Sequence, residues 1–327
     1  AAHRGLPPGD SKSAAGGLIG PAPIMTLGEL IEIGAQQMHQ AKIEFGQGTL
    51  NAWDEARWLI LAVLNYPVDS PEDISAQPLS AAQITQVESA LHRRIRDRVP
   101  TAYITGMAWL KGYGFTVDPR VIIPRSFIAE LLVHRLAPLL LSKQAPSQIL
   151  DMCTGSGCLA IIAADIYPQA KIDAADLSTD ALAVAQTNVT RYAMADRIRL
   201  TQSDVFSALS PDRHGPYDLI IANPPYVPAT KGPRLPDEFK AEPAMALIAE
   251  DRGMAIVRRL LSQAYRFLAP EGLLIVEIGH ERRSTEALLR KEFSGLKAQW
   301  IRTQEQFDNV FVIRQEQLVQ HPWSPHQ

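Results

Sequence analysis

The sequence of 327 residues contains only two cysteines, Cys153 and Cys158. Two thiolates cannot complete a structural zinc site without further Cys, His or carboxylate ligands. Their spacing also differs from the Cys-x-x-Cys spacing of redox pairs. The eight histidines form no cluster and no His-x-x-x-His pair. We therefore expect no metal site, and we interpret both cysteines as small buried side chains in a reducing cytoplasm.

Long apolar runs and an excess of one charge are missing as well. No apolar run is long enough to span a bilayer, and no basic region followed by an apolar stretch opens the chain. The 32 basic and 35 acidic residues give a net charge of -3, and the mean hydropathy is -0.06. Such values are typical of soluble globular proteins and provide no global attraction to nucleic acid. We expect a cytoplasmic protein with no membrane partner and no sequence-specific DNA binding.

The composition changes several times along the chain. Residues 1–24 are rich in glycine and proline and predict a flexible tail. Residues 25–100 carry three apolar patterns of helical period and predict a small helical domain. Residues 101–120 alternate aromatic and β-branched residues around glycines, as a β-hairpin connector does. Residues 121–316 form the largest region, and residues 317–327 are interpreted as a C-terminal tail.

The largest region alternates short apolar runs with helical patterns, which indicates an α/β fold with a doubly wound sheet. Seven strands are predicted, at Gln148–Cys153, Lys171–Asp176, Ile198–Ser203, Tyr217–Ala222, Leu273–Ile278, Gln299–Thr303 and Val310–Arg314. Helices are predicted at Cys158–Ile166, Asp180–Tyr192, Gly253–Leu268 and Ser284–Phe293. A short polar loop instead of a helix separates the last two strands, which predicts an antiparallel pair at the end of the sheet.

A glycine-containing loop follows the first of these strands, and a helix follows the loop directly. Glycines let the backbone turn sharply and let a ligand approach it, while a helix N-terminus favours a negative group. The flanking strand and helix favour a cofactor loop over a tight turn without a ligand. Because Gly155, Gly157 and Ala160 also satisfy G-x-G-x-x-A, a dinucleotide remains open. The loop comprises Asp151, Met152, Cys153, Thr154, Gly155, Ser156 and Gly157.

Acidic residues end the next two strands. Asp176 is placed to accept hydrogen bonds from ribose hydroxyls, although an acid ahead of a helix is an alternative. Asp204 is followed by Val205 and Phe206, which predicts an acceptor for an adenine amine beside an apolar face; a plain loop acid is the alternative. Two such acids at consecutive strand ends favour an adenosine lying across the edge of the sheet.

The fourth strand runs into Asn223-Pro224-Pro225-Tyr226. Two prolines restrict the backbone and remove two N–H donors, so carbonyl acceptors stand beside the Asn223 oxygen. A planar NH2 group could donate one hydrogen to Asn223 and one to the Pro224 carbonyl, with Tyr226 stacked on its face. Such a corner favours rehybridisation of the nitrogen in a transition state and needs neither a metal nor a basic residue. The alternative is an ordinary turn of Asn and Pro after a strand.

These motifs together resemble class I S-adenosylmethionine-dependent methyltransferases with a seven-stranded Rossmann-like sheet, and within them the bacterial N5-glutamine methyltransferases. Further matching segments are Gly114-Phe115-x-Val117, Ile123-Pro124-Arg125, Glu242-Pro243, Ala246-Leu247 and Glu277-Ile278-Gly279. The resemblance implies S-adenosylmethionine as the cofactor and Asn223, Pro224, Pro225 and Tyr226 as the catalytic and substrate-binding residues. The cofactor-binding residues that it implies are Asp151, Cys153, Thr154, Gly155, Ser156, Gly157, Asp176, Leu177, Asp204, Val205, Phe206 and Asn223.

Two departures from the release-factor enzymes of this family refine the prediction. Arg125 is followed by Ser126 where those enzymes continue with Pro-Glu-Thr-Glu, and Cys153 replaces the first loop glycine. Both variants resemble the paralogue that acts on the third large-subunit ribosomal protein. The resemblance thus implies a ribosomal protein as substrate, within an assembling large subunit, and target selection by residues 25–100. Alternatives are a release-factor enzyme, a methyltransferase for exocyclic amines of DNA or RNA, and a non-catalytic ribosome assembly factor.

The segment from His92 to Arg98 contains four arginines. This local basic charge predicts either a local contact to RNA or a solvated helix end whose dipole favours cations.

Overall fold

The computed structural model describes residues 25–140, 144–303 and 308–325. The tail predicted at residues 1–24 lies outside the described residues. Within them, no helix combines the length and the apolar character that a membrane crossing requires.

The N-terminal part is built from three amphipathic helices, α1 (Leu27–Gln40), α2 (Ala52–Val63) and α3 (Ala81–Ile95). Thr26 and Ser80 begin α1 and α3 with capping boxes, which satisfy backbone N–H groups that a helix start leaves free. The apolar stripes of the three helices enclose one core. A short 3-10 helix (Glu72–Ala76) lies between α2 and α3. The three helices that the sequence predicts are therefore present.

The connector is a helix followed by a hairpin. Helix α4 (Thr101–Thr105) precedes β1 (Met107–Leu110) and β2 (Tyr113–Thr116), which pair antiparallel. The predicted hairpin is present. The expectation that it begins at residue 101 is wrong, because Thr101–Thr105 form a helical turn after Pro100. Gly106 ends this turn with a φ of +72°, a conformation that glycine adopts without strain.

The large domain contains a seven-stranded sheet. In chain order its strands are β3 (Gln148–Met152), β4 (Lys171–Asp176), β5 (Ile198–Gln202), β6 (Tyr217–Ala222), β9 (Leu268–Glu277), β10 (Gln299–Ile301) and β11 (Val310–Arg314). Their order across the sheet is β10-β11-β9-β6-β3-β4-β5, and β11 is antiparallel to both of its neighbours. The predicted doubly wound α/β sheet with an antiparallel end is confirmed.

Both faces of the sheet are buried, as expected for parallel strands. Along β6, Leu219 and Ile221 point into one core, whereas Ile220 and Ala222 point into the other. Helices α6 (Cys158–Ile166) and α7 (Thr179–Arg191) cover the first face. Helices α10 (Ala255–Gln263), α11 (Arg282–Glu292) and α12 (Gln315–Gln320) cover the second. The remaining helical turns are α5 (Ile128–Glu130), a π-helical turn (Leu131–Arg135) and two 3-10 turns (Ala137–Leu139, Ala264–Arg266).

An insert between β6 and β9 was not predicted. It contains the two-residue parallel pair β7 (Val227–Pro228) and β8 (Ile248–Ala249), a 3-10 helix (Ala229–Arg234), and the short helices α8 (Asp237–Lys240) and α9 (Ala244–Leu247). Because it begins directly after Tyr226, it lies beside the predicted catalytic corner.

The C-terminal residues correct one expectation. The tail predicted from residue 317 begins inside α12, where Leu318 is 2% exposed. The indole N–H of Trp323 donates to Glu292 on α11 at 2.9 Å. Residues 317–323 therefore pack on the large domain because an apolar and an aromatic side chain attach them to it.

Candidate active site at the carboxyl edge of the sheet

The ends of β3, β4, β5 and β6 surround a cavity of about 340 Å³. In a doubly wound sheet this edge, where the strand order reverses, is the usual place for a ligand. Ten of the predicted site residues line it: Cys153, Thr154, Gly155, Ser156, Asp176, Leu177, Asp204, Val205, Asn223 and Pro225. The structure thus brings together the four motifs that the sequence singled out.

The glycine loop is organised around a buried acid. Asp151 is fully buried, and its Oδ2 accepts hydrogen bonds from Thr154 Oγ1 at 2.5 Å and from the Ala160 N–H at 3.1 Å. Burial raises the pKa of Asp151 to about 7. Its side chain lies behind the loop and does not line the cavity. Asp151 thus shapes the loop from within, and its Oδ1 has no hydrogen-bond partner among the described atoms.

The loop backbone requires unusual conformations. Gly155 and Gly157 have φ angles of +56° and +79°. A Cβ on Gly157 would lie 3.3 Å from the Cβ of Ala185 on α7, so glycine also permits the close packing of these two segments. Cys153 has a φ of +62° although it is not glycine, a conformation in which a side chain introduces strain.

Asp176 stands at the end of β4 with both carboxylate oxygens oriented by backbone. Oδ2 accepts from the Gly155 N–H at 2.8 Å and Oδ1 accepts from the Ser178 N–H at 2.9 Å. Burial raises the pKa of Asp176. Each carboxylate oxygen retains acceptor capacity beyond these bonds. The residue is therefore preorganised to accept further hydrogen bonds from hydroxyl groups.

The residues after β5 separate into three environments. Asp204 forms an ion pair with Arg259 on α10, with 2.7 Å between Oδ1 and Nη1. Val205 lines the cavity with a φ of +53°. Phe206, predicted beside the adenine, instead stacks on Phe267 with 4.6 Å between ring centroids and is 3% exposed. The placement predicted for Phe206 is wrong, because its ring belongs to the core behind the site.

Asn223 stands between two cavities. It lines the cavity described above and also a neighbouring one of about 170 Å³, to which Pro224 and Tyr226 contribute. The other lining residues of this second cavity are Ile122, Arg125, Val227, Leu235, Phe239, Ala246 and Leu247. The four residues of the Asn-Pro-Pro-Tyr corner are therefore divided between the two cavities, with the Asn223 amide common to both.

Tyr226 packs closely against backbone. A Cβ on Gly279 would lie 2.5 Å from Tyr226 Cε2, and a Cβ on Gly253 would lie 2.0 Å from the Tyr226 carbonyl oxygen. Only glycine fits at these two positions. Burial and the nearby Glu277 carboxylate raise the pKa of Tyr226, so the phenol remains protonated at neutral pH.

Three residues near the site have roles that sequence reasoning missed. Arg125 donates to Glu242 Oε2 at 2.9 Å, and its guanidinium lies 5.3 Å from the centroid of the Phe239 ring. Asn188 on α7 is fully buried and donates to the Ser156 carbonyl in the loop at 2.9 Å. The resemblance includes the segments around Arg125 and Glu242 but gives them no role, and nothing in the sequence marks Asn188.

The arginines at the end of α3 are not all available to solvent, as the alternative of an RNA contact would require. Arg94 is 1% exposed and forms ion pairs with Glu55 and Glu238. Arg98 forms an ion pair with Glu238 at 3.0 Å. Two of the four arginines are therefore paired with a buried acid, and one of these two is itself buried. No cluster of metal-ligating side chains occurs in the part of the chain that the structure describes.

The methyltransferase small domain family matches residues 129–308. Proteins named ribosomal protein uL3 glutamine methyltransferase are similar over most of the chain: that of Burkholderia pseudomallei is 43% identical over 91% of this chain and 97% of its own. Those of Bordetella pertussis and Neisseria meningitidis serogroup B are 43% and 42% identical over 90% of this chain and 97% and 95% of their own. The chain belongs to the uL3 glutamine methyltransferase family. The predictions of an S-adenosylmethionine-dependent methyltransferase and of this paralogue are confirmed.

The site of this methyltransferase fits S-adenosylmethionine. The cavity offers an acid at Asp176 for ribose hydroxyls, and the side chains of Leu177, Val205 and Ile256 for apolar contact. Gly155 has nothing within 4 Å of an added Cβ, so the loop backbone is open on that side. These features suit a nucleoside with a charged tail, which is the methyl donor of this enzyme family.

Proposed function

We propose that the enzyme methylates the side-chain amide nitrogen of a glutamine in ribosomal protein uL3. The identity of 43% over 91% of the chain to a protein of that name supports this substrate. With a ribosomal protein as substrate, free or in an assembling large subunit, we expect the enzyme to act in the cytoplasm. The single observation that carries the chemistry is the position of Asn223 on the wall shared by the two cavities.

The two cavities have separate roles in this proposal. The larger, with the glycine loop and Asp176, takes S-adenosylmethionine, and the smaller admits the glutamine side chain. The residues proposed for cofactor contact are Cys153, Thr154, Gly155, Ser156, Gly157, Asp176, Leu177, Asp204, Val205 and Asn223, with Asp151 supporting the loop from behind. Bound there, S-adenosylmethionine supplies an electrophilic methyl group on a positively charged sulfur.

The chain contributes orientation and hydrogen-bond acceptors. An amide nitrogen is a poor nucleophile because its lone pair is delocalised into the carbonyl group. The Asn223 side-chain oxygen and the Pro224 carbonyl accept its two N–H groups, which opposes delocalisation and directs the lone pair toward the methyl group. Pro225 restricts the backbone of this corner, and the neutral Tyr226 ring packs on the amide plane. Transfer would form the N–CH3 bond as the S–CH3 bond breaks, with S-adenosylhomocysteine as the leaving group and one amide proton released. Positioning the two reactants in this way converts a bimolecular step into an effectively intramolecular one.

An exocyclic amine of a nucleic acid has the same planar NH2 group, but two observations favour a protein substrate. The net charge is -3, and Arg94 and Arg98 are engaged in internal ion pairs. Only exposed residues of this helix end, such as Arg93 and Arg96, remain for a local RNA contact. Binding of a nucleic-acid backbone normally needs a larger basic surface.

The experiment supplies purified uL3, a release factor, or DNA to the enzyme with methyl-labelled S-adenosylmethionine, and tandem mass spectrometry locates the label. We expect one glutamine of uL3 to gain the mass of one CH2, and the other two substrates to remain unlabelled. The Asn223→Ala variant should lower kcat by about 100-fold or more, as loss of a preorganised hydrogen-bonding group typically does. Label on a release factor or on DNA in preference to uL3 would refute the proposed substrate.

A further inference from the structure

A buried carboxylate connects three parts of the chain beside the second cavity. Glu242, in the insert after Tyr226, is 3% exposed. Its Oε2 accepts from the Ile123 N–H at 2.8 Å and from Arg125 Nη1 at 2.9 Å. Its Oε1 accepts from the side-chain amide of Gln47, which belongs to the N-terminal helical part. One side chain thereby joins the helical part, the segment before the sheet and the insert.

The contacts of Arg125 give this carboxylate a role at the site. Arg125 lines both cavities, as do Ile122 and Asn223. Besides Glu242, its Nη1 donates to the Ile123 carbonyl at 3.0 Å. Glu242 thus holds the Arg125 guanidinium from the side that faces away from the cavities. A shift of this carboxylate would move a wall that the methyl donor and its acceptor share.

The connection continues into the helical part through a second acid of the same insert. Glu238 is 2% exposed and forms ion pairs with Arg94 at 3.5 Å and with Arg98 at 3.0 Å. Gln47 donates to the Glu238 carbonyl at 3.2 Å as well as to Glu242. The insert is therefore attached to the helical part by both acids. Among the hydrogen bonds and ion pairs of the described residues, those of Glu242 reach Arg125 on the cavity wall, whereas those of Glu238 reach only the helical part.

We propose that Glu242 is a positioning residue for methyl transfer: it orients Arg125 and the Ile123 backbone at the shared wall and connects them to the helical part through Gln47. The inference rests on the proposed function and adds to it a residue outside the Asn-Pro-Pro-Tyr corner. Since Glu242 lines neither cavity and acts through Arg125 on the wall that they share, its effect should be larger on the rate of transfer than on cofactor binding.

The test compares three variants of the full-length chain with uL3 as the substrate. Glu242→Gln keeps the shape of the side chain but replaces one acceptor oxygen with an NH2 donor, which faces a donor already present. Glu242→Asp keeps the charge and shortens the reach. The matched control is Asp173→Asn: Asp173 is similarly buried and accepts from Tyr217 Oη at 2.5 Å and Arg199 Nε at 2.7 Å, away from both cavities.

Calorimetry gives the dissociation constant and the stoichiometry of cofactor binding, and kcat is expressed per functional cofactor-binding site. For Glu242→Gln we expect kcat to fall about 10- to 100-fold, because a small misplacement near reacting groups has effects of this size. The dissociation constant of the cofactor should change by less than about twofold in the same variant. Glu242→Gln and Asp173→Asn should lower Tm to a similar extent, but Asp173→Asn should leave kcat unchanged. The kcat of Glu242→Asp should lie between the values of Glu242→Gln and Asp173→Asn.

A kcat for Glu242→Gln equal to that of Asp173→Asn would overturn the proposal, and so would a parallel loss of cofactor affinity. If Glu242→Gln does not fold, a wild-type kcat for Glu242→Asp would overturn it instead. The wild-type enzyme in the same assay separates the two hypotheses. Absence of uL3 methylation by the wild type contradicts the proposed function, whereas wild-type activity in the Glu242 variants contradicts only the positioning role.

Discussion

The backbone of Cys153 has a conformation that favours glycine. Its φ of +62° lies in the same region as the φ angles of the loop glycines Gly155 and Gly157, which are +56° and +79°. Release-factor enzymes of the family carry glycine where Cys153 stands. The cysteine thus introduces local strain into a loop that lines the cofactor cavity.

Replacing Cys153 by glycine should relieve this strain. We expect Cys153→Gly to raise the free energy of unfolding by about 0.5 to 1 kcal/mol, measured by urea titration. The control is Cys158→Gly, at the start of α6, which should lower it by about 1 to 2 kcal/mol because glycine disfavours a helix and the thiol is buried. Destabilisation by both substitutions would contradict the interpretation of strain at Cys153.

Glu277 makes stability depend on pH. It accepts from Ser126 Oγ at 2.5 Å and from the Phe127 N–H at 2.9 Å, and burial raises its pKa from 4.5 to about 7. A raised pKa in the folded state means that folding favours the protonated acid. Its contribution to stability is complete below about pH 4.5 and is lost as the pH rises to about 7.

Urea titrations of the wild type and Glu277→Gln across this range test the sign. The free energy of unfolding of the wild type, relative to the variant, should fall by up to on the order of 3 kcal/mol as the pH rises. Asp151 titrates with the same sign, but it is present in both proteins and its contribution cancels. A difference that stays constant, or that grows with pH, would contradict this origin.

At the scale of elements, α7 connects the hairpin to the cofactor loop. Asn188 on this helix accepts from the Thr116 N–H at 2.7 Å and donates to the Thr116 carbonyl at 3.0 Å. The same amide donates to the Ser156 carbonyl at 2.9 Å. One fully buried side chain therefore attaches both β2 and the loop to the helix.

Asn188→Ala should leave these backbone groups without partners. We expect a loss of about 2 to 4 kcal/mol in the free energy of unfolding and a weaker affinity for S-adenosylmethionine, measured by calorimetry. Gln186→Ala on the same helix removes a single exposed hydrogen bond to Thr190 and should change neither quantity by a measurable amount. Equal stability of the two variants would show that Asn188 does not connect these elements.

Sequence patterns predicted the elements that have a period of their own. The three N-terminal helices were predicted from apolar residues at helical spacing, and all seven strands of the sheet were predicted from short apolar runs. The insert between β6 and β9 consists of elements of two to six residues, too short to show a period. Its shape depends on packing between distant residues, for example Gly232 against Ile248.

The same distinction applies to the candidate site. Motif residues at strand ends were predicted because a parallel sheet brings its carboxyl ends to one edge. Phe206 was placed wrongly because its partner, Phe267, is distant in sequence. The roles of Glu242 and Asn188 depend on hydrogen bonds to residues on other elements, and no local pattern indicates such bonds.

At the scale of the whole molecule, buried charges connect the helical part to the large domain. Arg94 contacts Glu55 in its own part of the chain and Glu238 in the insert beside the site. Thr101 Oγ1 also donates to Glu55 at 2.8 Å. The helical part, for which the sequence analysis predicts target selection, is thereby placed in a defined orientation to the candidate active site.

Removing the central cation should be costly. Arg94→Met removes the cationic partner of the buried Glu55 carboxylate and one of the two arginines paired with Glu238. We expect a loss of about 3 to 5 kcal/mol in the free energy of unfolding. Arg93→Met, at an exposed position of the same helix, should change it by less than about 0.5 kcal/mol. Similar values for the two variants, measured by urea titration, would contradict the importance of this network.

In the proposed mechanism the glutamine amide nitrogen is held between the Asn223 oxygen and the Pro224 carbonyl and faces the methyl donor. The decisive measurement is a crystal structure of the enzyme with S-adenosylhomocysteine and a glutamine-containing uL3 peptide. We expect the glutamine nitrogen within hydrogen-bonding distance of both oxygens and the cofactor sulfur facing that nitrogen, with no protein atom between them. A glutamine bound elsewhere, or an Asn223 side chain turned away from an ordered glutamine, would contradict it.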